Sequence, residues 1–471
     1  MTVEQIRSLG PALSAYLDEF ADCFVSPDTR YHLKEYVKGQ LSNLPRKSVE
    51  PMAHLADVPP RTLQEFLSLS AWDDDRLRDT VQRLVARDHG DPQAIGIIDE
   101  SGHPKKGTET ACVQRQYCGA SGKIDNCVMS VHLCYAGFDG RFRAMLDSDL
   151  YLPDAGWADA PARRRAAGVP DAVAYRPKHH IALAQVRRAV TDNGLRLGWV
   201  VADEWYGAKP SFIEGLEDLG LRFVLEIPKN VMGWVREPRD ADAVSRGEVQ
   251  DLVRWSRPML DQPWTDVHVK DTGMGAMVWE ARAAPFWMRR EGRVVGPYWL
   301  VAARDRLDRD AATVKYFLSN AAGGVPLETI LHVAFSRWPV ERCIEDEKSE
   351  LGLGHFECRK YTGVLRHMRI TQVSHLFLAR QAARLRGEKP GGDGVPGARR
   401  EPRVAGRVAA ERRGGPDGPA AEGRRHPPGH AGAERGVAGV PRQGASTRPG
   451  REGHRSGNAT VLHPAAGRVA L

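Results

Sequence analysis

Three acidic residues stand where one predicted element gives way to the next. Asp99 follows the apolar run AIGII, and Asp203 follows LGWVVA. Glu341 lies in a predicted helix that begins near Ser336. A carboxylate at the end of a buried strand is costly unless a cation uses it, and Mg²⁺ prefers carboxylate oxygens. Two carboxylates at strand ends and a third from a crossing helix can bind a pair of Mg²⁺ ions, which suits in-line attack on a phosphodiester.

Basic residues flank the third acid. Arg337, Glu341 and Lys348 are four and seven residues apart, so they fall on one face of a helix. Such a face offers one metal ligand between two phosphate-binding groups. The stretch RWPVERCIEDEKSE is also dense in charge, as solvated helix surfaces are. Spacing alone leaves both interpretations open.

Further basic residues follow Asp99 along the chain. We expect four of them to line a DNA groove and to hold phosphates without reading sequence, namely Lys105, Lys106, Arg115 and Lys123. Each is equally typical of an ordinary turn or of a strand edge.

Several neighbours offer alternatives to this assignment. Glu345 shares a helical face with Glu341 and is the main rival for the third ligand. Glu100 and Glu204 each follow a candidate Asp, and strand alternation predicts that they point to the opposite face in a supporting role. Tyr206 is expected to be a buried aromatic residue.

Cysteine and histidine residues give no comparable signal. The seven cysteines in a long chain without a recognisable export signal predict reduced thiols. The spacings of Cys112, Cys118, Cys127 and Cys134 match no zinc pattern, so thiols on strands are expected. His179 and His180 head a predicted helix and are assigned to its cap or surface.

The elements that must position these residues form an α/β arrangement. Helical spacing dominates as far as residue 90, short alternating strands begin near residue 94, and strands then alternate with helices. Residues 47–67 fit either a helix-turn-helix or a plain helical bundle. We predict a helical N-terminal domain for DNA binding or dimerisation (1–90), a core (91–229), a β-rich insertion (230–325), completion of the core by the Glu-bearing helix and a C-terminal helix (326–389), and a tail (390–471).

The charge of the chain is uneven. The net charge is +7, yet residues 390–471 contain 14 arginines, no lysine and 7 acidic residues, which leaves 53 basic and 53 acidic side chains in residues 1–389. The tail is mostly Gly, Arg, Ala and Pro, so we expect disorder. It is either a loose nucleic-acid-binding segment or the product of a shifted reading frame. No apolar run suits a membrane span, and a cytoplasmic location is expected.

Longer motifs point to a family. The segments IIDESGHPKKG, VQRQYCGASGKIDNC, YRPKHHIAL, VVADEWYG and RWPVERCIEDEKSELGLGHFECR occur in this order. Together they resemble the DDE transposases of bacterial insertion sequences, in particular the insertion-sequence 701 group, over roughly residues 10–385.

The resemblance implies a ribonuclease H-like catalytic core with Asp99, Asp203 and Glu341 as the metal-binding triad. It implies two Mg²⁺ ions, and Mn²⁺ suits the same oxygen ligands. Arg337, Glu341 and Lys348 match the last three members of a Tyr-Arg-Glu-Lys signature, whereas Ala334 stands in place of its tyrosine. The implied partners are double-stranded DNA, as terminal inverted repeats and as target, and a second copy of the chain in a synaptic complex at the bacterial nucleoid.

The function expected on this basis is metal-dependent cleavage at the ends of an insertion sequence, followed by strand transfer into target DNA. A catalytically inactive relic that binds the ends is the alternative, because the tail replaces the ordered helices that the family continues with. A host nuclease on the same fold is a third interpretation, since fold alone does not decide function.

Overall fold

The computed structural model describes residues 3–272, 275–306 and 314–387, and the statements below concern these residues. The predicted tail, 390–471, lies outside them.

Six α-helices and one 3₁₀-helix occupy the N-terminal region. Ser26 caps the third α-helix, because its Oγ accepts a hydrogen bond from the Thr29 amide at 3.2 Å and Pro27 takes the first helical position. The bounds are α1 Val3–Arg7, α2 Leu9–Asp18, the 3₁₀-helix Ala21–Cys23, α3 Pro27–Gln40, α4 Val49–Leu55, α5 Pro60–Ser68 and α6 Asp74–His89. Helices α4 and α5 cover the predicted helix-turn-helix, and the apolar residues of α5 enter the main core.

A mixed sheet follows. Its strands are β1 Ile95–Pro104, β2 Gln114–Cys118, β3 Lys123–Ala136, β4 Arg143–Leu150, β5 Trp199–Ala202 and β6 Phe223–Glu226. The accompanying helices are α7 Pro161–Ala167, α8 Lys178–Arg187, α9 Glu204–Gly207 and α10 Pro210–Asp218. β1 is antiparallel to β3 and parallel to β5, β4 is antiparallel to β3, and β6 is parallel to β5. This order, β4-β3-β1-β5-β6, is the ribonuclease H-like core that the motifs implied.

The region between residues 230 and 325 extends the same sheet. It contains β7 Met232–Trp234, β8 Gly247–Glu248, α11 Val249–Trp255, α12 Arg257–Leu260, β9 Thr265–Thr272, β10 Gly275–Arg290, β11 Arg293–Asp305 and β12 Lys315–Ser319. β12 pairs with β6, and β11 and β10 follow it outward. The chain therefore returns to the edge of the core before its last helices begin.

The C-terminal part of the described chain covers both faces of the sheet. Its elements are α13 Leu327–Ala334, the 3₁₀-helix Phe335–Arg337, α14 Trp338–Ser349 and α15 Tyr361–Gly387. On one face of the sheet, α14 packs against β1 residues such as Ile97. On the other face, α15, the N-terminal helices and α8 share a core with β1 residues such as Ile98. No described helix is long and apolar enough to cross a membrane.

Buried ion pairs fasten α15 to the rest of the core. The Arg369 side chain is 4% exposed, and its guanidinium pairs with Asp74 at the start of α6 and, at 3.9 Å, with Asp149 on β4. Arg188 from the end of α8 pairs with the same Asp149 at 3.4 Å. Four elements thus meet at one set of desolvated charges.

We expect Arg369→Met to lower the free energy of unfolding by about 3 kcal/mol, because it removes a buried cation from a cluster in which Asp74 and Asp149 keep only Arg366 and Arg188 as partners. Urea unfolding followed by circular dichroism measures this change. The matched control is Arg257→Met, which removes an ion pair whose side chains are 78% and 51% exposed. The control should cost less than about 1 kcal/mol, and equal losses in both variants would contradict a structural role for the buried pairs.

Candidate active site

β1 changes from apolar to polar along the face that α14 covers. Ile95 and Ile97 are buried under α14, and Asp99 is the next residue with the same orientation. The prediction that the strand ends at Asp99 is wrong, because β1 continues to Pro104. Its pairing with β3 extends through Asp99↔His132 to Pro104↔Cys127, and this long partner keeps the Gly- and Pro-containing segment extended.

Asp203 directly follows β5, the strand next to β1. The parallel register pairs Ile97 with Val201, so the position two residues further on brings Asp203 level with Asp99. Asp203 also caps α9, because its Oδ1 accepts hydrogen bonds from the amides of Trp205 at 3.0 Å and Tyr206 at 3.3 Å. The backbone turn thus fixes the orientation of this carboxylate.

Arg337 joins Asp99 to Glu341. Its Nη1 donates to Asp99 Oδ2 at 3.1 Å, and its Nη2 donates to the Glu341 carboxylate one turn along the chain. The Glu100 amide donates to the other oxygen of Asp99 at 2.8 Å. One guanidinium therefore bridges the strand that carries Asp99 and the helix that carries Glu341.

The charges of Asp203 and Glu341 both act on the Asp99 carboxylate. Burial raises the pKa of Asp99 from 3.8 to about 6, and repulsion by Asp203 and Glu341 adds to the rise. Arg337 and the Glu100 amide oppose it. The buried charge of Asp99 therefore needs a cation.

Whether this site suits a metal ion depends on its donors and on Arg337. Within residues 3–272, 275–306 and 314–387, no three His, Cys, Asp or Glu side chains are grouped closely enough to hold an ion. The donors are three carboxylates from separate elements, which is the chemistry that Mg²⁺ requires. The chemistry of these residues fits a hard divalent ion, whereas their arrangement holds the Arg337 guanidinium between Asp99 and Glu341.

Two of the predicted DNA-binding lysines are engaged within the protein. Lys348 donates to the Gly102 carbonyl at 3.3 Å, and burial lowers its pKa. Lys105 donates to the Phe356 carbonyl at 2.8 Å, and its ammonium lies 3.3 Å from the centre of the Phe356 ring. Burial lowers the pKa of Lys105 to about 8. Lys105 holds a neighbouring loop instead of lining an open groove.

Three further residues that we predicted to bind DNA are exposed. Lys106 follows β1, Arg115 lies on β2, and Lys123 begins β3. None of these side chains has an ion-pair partner among the described residues. Arg115 shares the outer face of the β2–β3 hairpin with Tyr117, which is 65% exposed. The hairpin therefore presents free cations beside the far end of β1.

The alternative acids point elsewhere. Glu345 is 65% exposed and pairs with Arg342 at 2.9 Å. Glu100 pairs with Lys178 at 2.7 Å. The strand position predicted for Glu204 is wrong, because β5 ends at Ala202 and Glu204 lies exposed on α9. Among these acids, Glu341 alone contacts the cation that also holds Asp99.

Sequence reasoning missed Lys178 and Trp205. Lys178 neutralises Glu100 next to the candidate site, although only the adjacent histidines drew notice in the motif YRPKHHIAL. Trp205 is 41% exposed two residues after Asp203, and the Lys209 ammonium lies 4.7 Å from the centre of its ring. An exposed aromatic residue directly after a strand-end acid was the available signal.

Of the remaining predicted residues, Tyr206 adjoins the acids, since its amide donates to Asp203 at 3.3 Å and the charges of Asp99 and Asp203 act on its phenol. Tyr206 is 1% exposed, and burial raises its pKa. His179 packs 5.9 Å from Trp205, measured between ring centres, and burial lowers its pKa to about 4, while His180 is exposed. The four clustered cysteines are free thiols in separate apolar clusters, with Cys118 and Cys127 together and Cys112 and Cys134 apart from them.

Comparison with known proteins gives two matches. The model of a family described as DDE superfamily endonuclease matches residues 19–283, which include Asp99 and Asp203. A protein of Microchaete diplosiphon, named "Probable transposase for insertion sequence element IS701", is 31% identical over 232 residues. That match covers 48% of this chain and 57% of the relative, so the chain spans little more than half the relative's length. The two matches confirm the resemblance drawn from the motifs.

We expect Asp99→Asn to stabilise the metal-free protein above about pH 6. The raised pKa means that the folded state prefers the protonated acid. In the wild type, the stabilisation that the folded state gains from protonated Asp99 is complete below pH 3.8 and is lost as the pH rises to about 6. It amounts to about 2–3 kcal/mol. Urea unfolding in EDTA from about pH 4 to 8 should show the variant gaining on the wild type as the pH rises.

Asp218→Asn, which removes an exposed carboxylate at the end of α10, is the control for this series. A gap between Asp99→Asn and the wild type that is the same at both ends of the pH range would refute the assigned charge state of Asp99.

Proposed function

Because the chain belongs to the family of DDE superfamily endonucleases, we propose that it is a transposase that cuts DNA at the ends of an insertion sequence and joins those ends to target DNA. The name of the relative from Microchaete diplosiphon supports this choice of substrate. We further propose that Asp99, Asp203 and Glu341 bind the divalent ions that the reaction uses.

One observation carries the proposal. Three carboxylates from β1, the end of β5 and α14 act on one another, and one of them has a pKa raised to about 6. A structural ion pair needs one acid for each base, whereas here Arg337 pairs with two acids and the charge of Asp203 acts on Asp99 as well. The excess of negative charge is what a divalent ion would neutralise.

The protein orients the ligands in advance. The Glu100 amide fixes Asp99, and the amides at the start of α9 fix Asp203. Glu341 is 45% exposed, so its carboxylate reaches the surface that DNA would approach. Bound Mg²⁺ supplies Lewis-acid stabilisation of the charge that develops on phosphate oxygens. Preorganised carboxylates reduce the reorganisation that this chemistry needs.

Basic residues would bind the DNA backbone at two distances from the acids. Arg337 lies among the carboxylates, whereas Lys106, Arg115 and Lys123 are exposed at and beyond the end of β1. Contacts of this kind position a duplex without reading its sequence. We propose terminal inverted repeats and target DNA as the substrates, paired by a homodimer.

We expect Glu341→Gln to reduce DNA cleavage by more than about 100-fold, because a metal ligand is worth several kcal/mol of transition-state stabilisation. The assay uses labelled duplex that carries the element's own end, with Mg²⁺ or EDTA. Glu345→Gln is the matched control, because it removes the same charge from the same helix at a side chain that pairs with Arg342. Its activity should stay within about twofold of the wild type.

The outcomes separate the proposed functions. Cleavage that needs Mg²⁺ and Glu341 supports a nuclease centred on these residues, and joining to a second duplex supports strand transfer. Binding without cleavage in the wild type would favour the inactive relic. Equal losses in both glutamate variants would remove Glu341 from the triad.

We expect the double variant Arg115→Ala/Lys123→Ala to weaken DNA binding and to flatten its salt dependence by about two units of log K against log[salt], because each phosphate contact releases about one counterion. Fluorescence anisotropy at several KCl concentrations measures the slope. The control, Arg187→Ala/Arg196→Ala, removes two exposed charges near the opposite end of β5. If the control changes the slope as much as the hairpin variant does, the hairpin is not the DNA surface.

A further inference from the structure

Arg337 occupies the place where a metal ion would be needed. Its two terminal nitrogens hold different carboxylates, Asp99 and Glu341, which lie 242 residues apart in the chain. Both carboxylates belong to the proposed triad. No other cationic side chain of the described residues pairs with either acid, so Arg337 is their internal counter-ion.

We propose that Arg337 and a divalent metal ion compete for Asp99 and Glu341, and that a DNA phosphate, by taking Arg337, favours metal binding. The inference rests on the proposed function and adds its regulation. In the absence of DNA the site would be closed by its own arginine. The metal centre would form fully only when the substrate is present.

The chemistry of arginine makes the competition unavoidable. A guanidinium does not lose its proton in proteins, so Arg337 cannot yield to a cation by becoming neutral. It must move away from the carboxylates or repel the incoming ion. Its side chain is 31% exposed, and it precedes α14 in the short 3₁₀-helix Phe335–Arg337, so it has access to solvent.

A phosphodiester is a suitable new partner for the displaced side chain. Arginine forms charge-assisted hydrogen bonds to phosphate oxygens as readily as to carboxylates. Once Arg337 has moved, Asp99 and Glu341 face each other without a counter-ion, which favours a divalent ion. By linkage, whatever DNA adds to metal affinity, the metal adds equally to DNA affinity.

The first experiment measures Mn²⁺ binding to the DNA-free protein by electron paramagnetic resonance. We expect Arg337→Gln to bind Mn²⁺ roughly tenfold more tightly than the wild type, within the usual range of coupling between sites. Arg337→Lys keeps the charge but cannot bridge two carboxylates, so its Mn²⁺ affinity should lie between those of the wild type and Arg337→Gln. The control is Arg342→Gln, which removes the same charge from α14 at a residue that pairs with Glu345 and Asp346, and it should match the wild type within about twofold.

The second experiment measures affinity for a duplex carrying the element's end, with Ca²⁺ as the added ion and K⁺ at matched ionic strength as the reference. A denaturing gel verifies that the DNA stays intact. We expect Ca²⁺ to tighten DNA binding by the wild type about fivefold or more, whereas the Arg337→Gln variant should change by less than about twofold.

The outcomes are distinct from those of the cleavage assay. Tighter Mn²⁺ binding in Arg337→Gln alone supports the competition, even if the chain never cuts DNA and the proposed function fails. Equal affinity in Arg337→Gln and the wild type, or an equal gain in Arg342→Gln, overturns the competition even if cleavage is observed. Absence of Mn²⁺ binding in every variant overturns both the metal site and the competition. Circular dichroism of each variant checks that it is folded, and Arg337→Lys serves if Arg337→Gln is not.

Discussion

The site depends on one constraint, which is that a carboxylate within a buried strand needs a cation. Asp99 lies in the same row of β1 as Ile95 and Ile97, so its side chain faces α14 instead of open water. Arg337 meets this need and also contacts Glu341. The ion pair therefore connects β1, the first strand of the core, to α14, and this structural role is separate from the catalytic role that we propose for its acids.

The remaining architecture brings those two segments together. After β6 the chain adds β7 to β12 to the same sheet, yet β12 returns to pair with β6 at the edge of the core. From there α13 and α14 cross the sheet towards β1. On the other face, the ion pairs of Arg369 and Arg188 join α15, α6 and α8 to β4. Residues of the insertion such as Val267 share an apolar cluster with Ile97 and with Val340 of α14, so the insertion also packs beneath the site.

The sequence predicted the parts of the site that depend on local pattern. The position of Asp203 after a short apolar strand is visible in LGWVVADEWYG, whereas its capping of α9 was not predicted. The continuation of β1 was missed because Gly102 and Pro104 are typical of turns, whereas pairing with the long strand β3 keeps them extended. Tertiary pairing overrode the local signal.

Lys105 shows the same limit for side chains. Its neighbour Lys106 has the same residue type in the same predicted turn, yet Lys106 is exposed while Lys105 binds the carbonyl of Phe356, far away in the chain. No local pattern distinguishes the two. The choice of Glu341 over Glu345 likewise required the family resemblance, and the structure now separates them by partner, since Glu341 contacts Arg337 and Glu345 contacts Arg342.

Charge balance offers a physical reason for the arginine at the centre of the proposed site. Three carboxylates and one phosphodiester together carry the charge that two divalent ions would neutralise, so the complete assembly has no need of Arg337 among the acids. Without DNA and metal the same carboxylates would repel one another, and this repulsion adds to the effect of burial, which is the main cause of the raised pKa of Asp99. A single guanidinium reduces that repulsion but does not neutralise all three carboxylates. A site built in this way can be stable enough to fold and still retain affinity for the ions and the DNA on which its proposed activity depends.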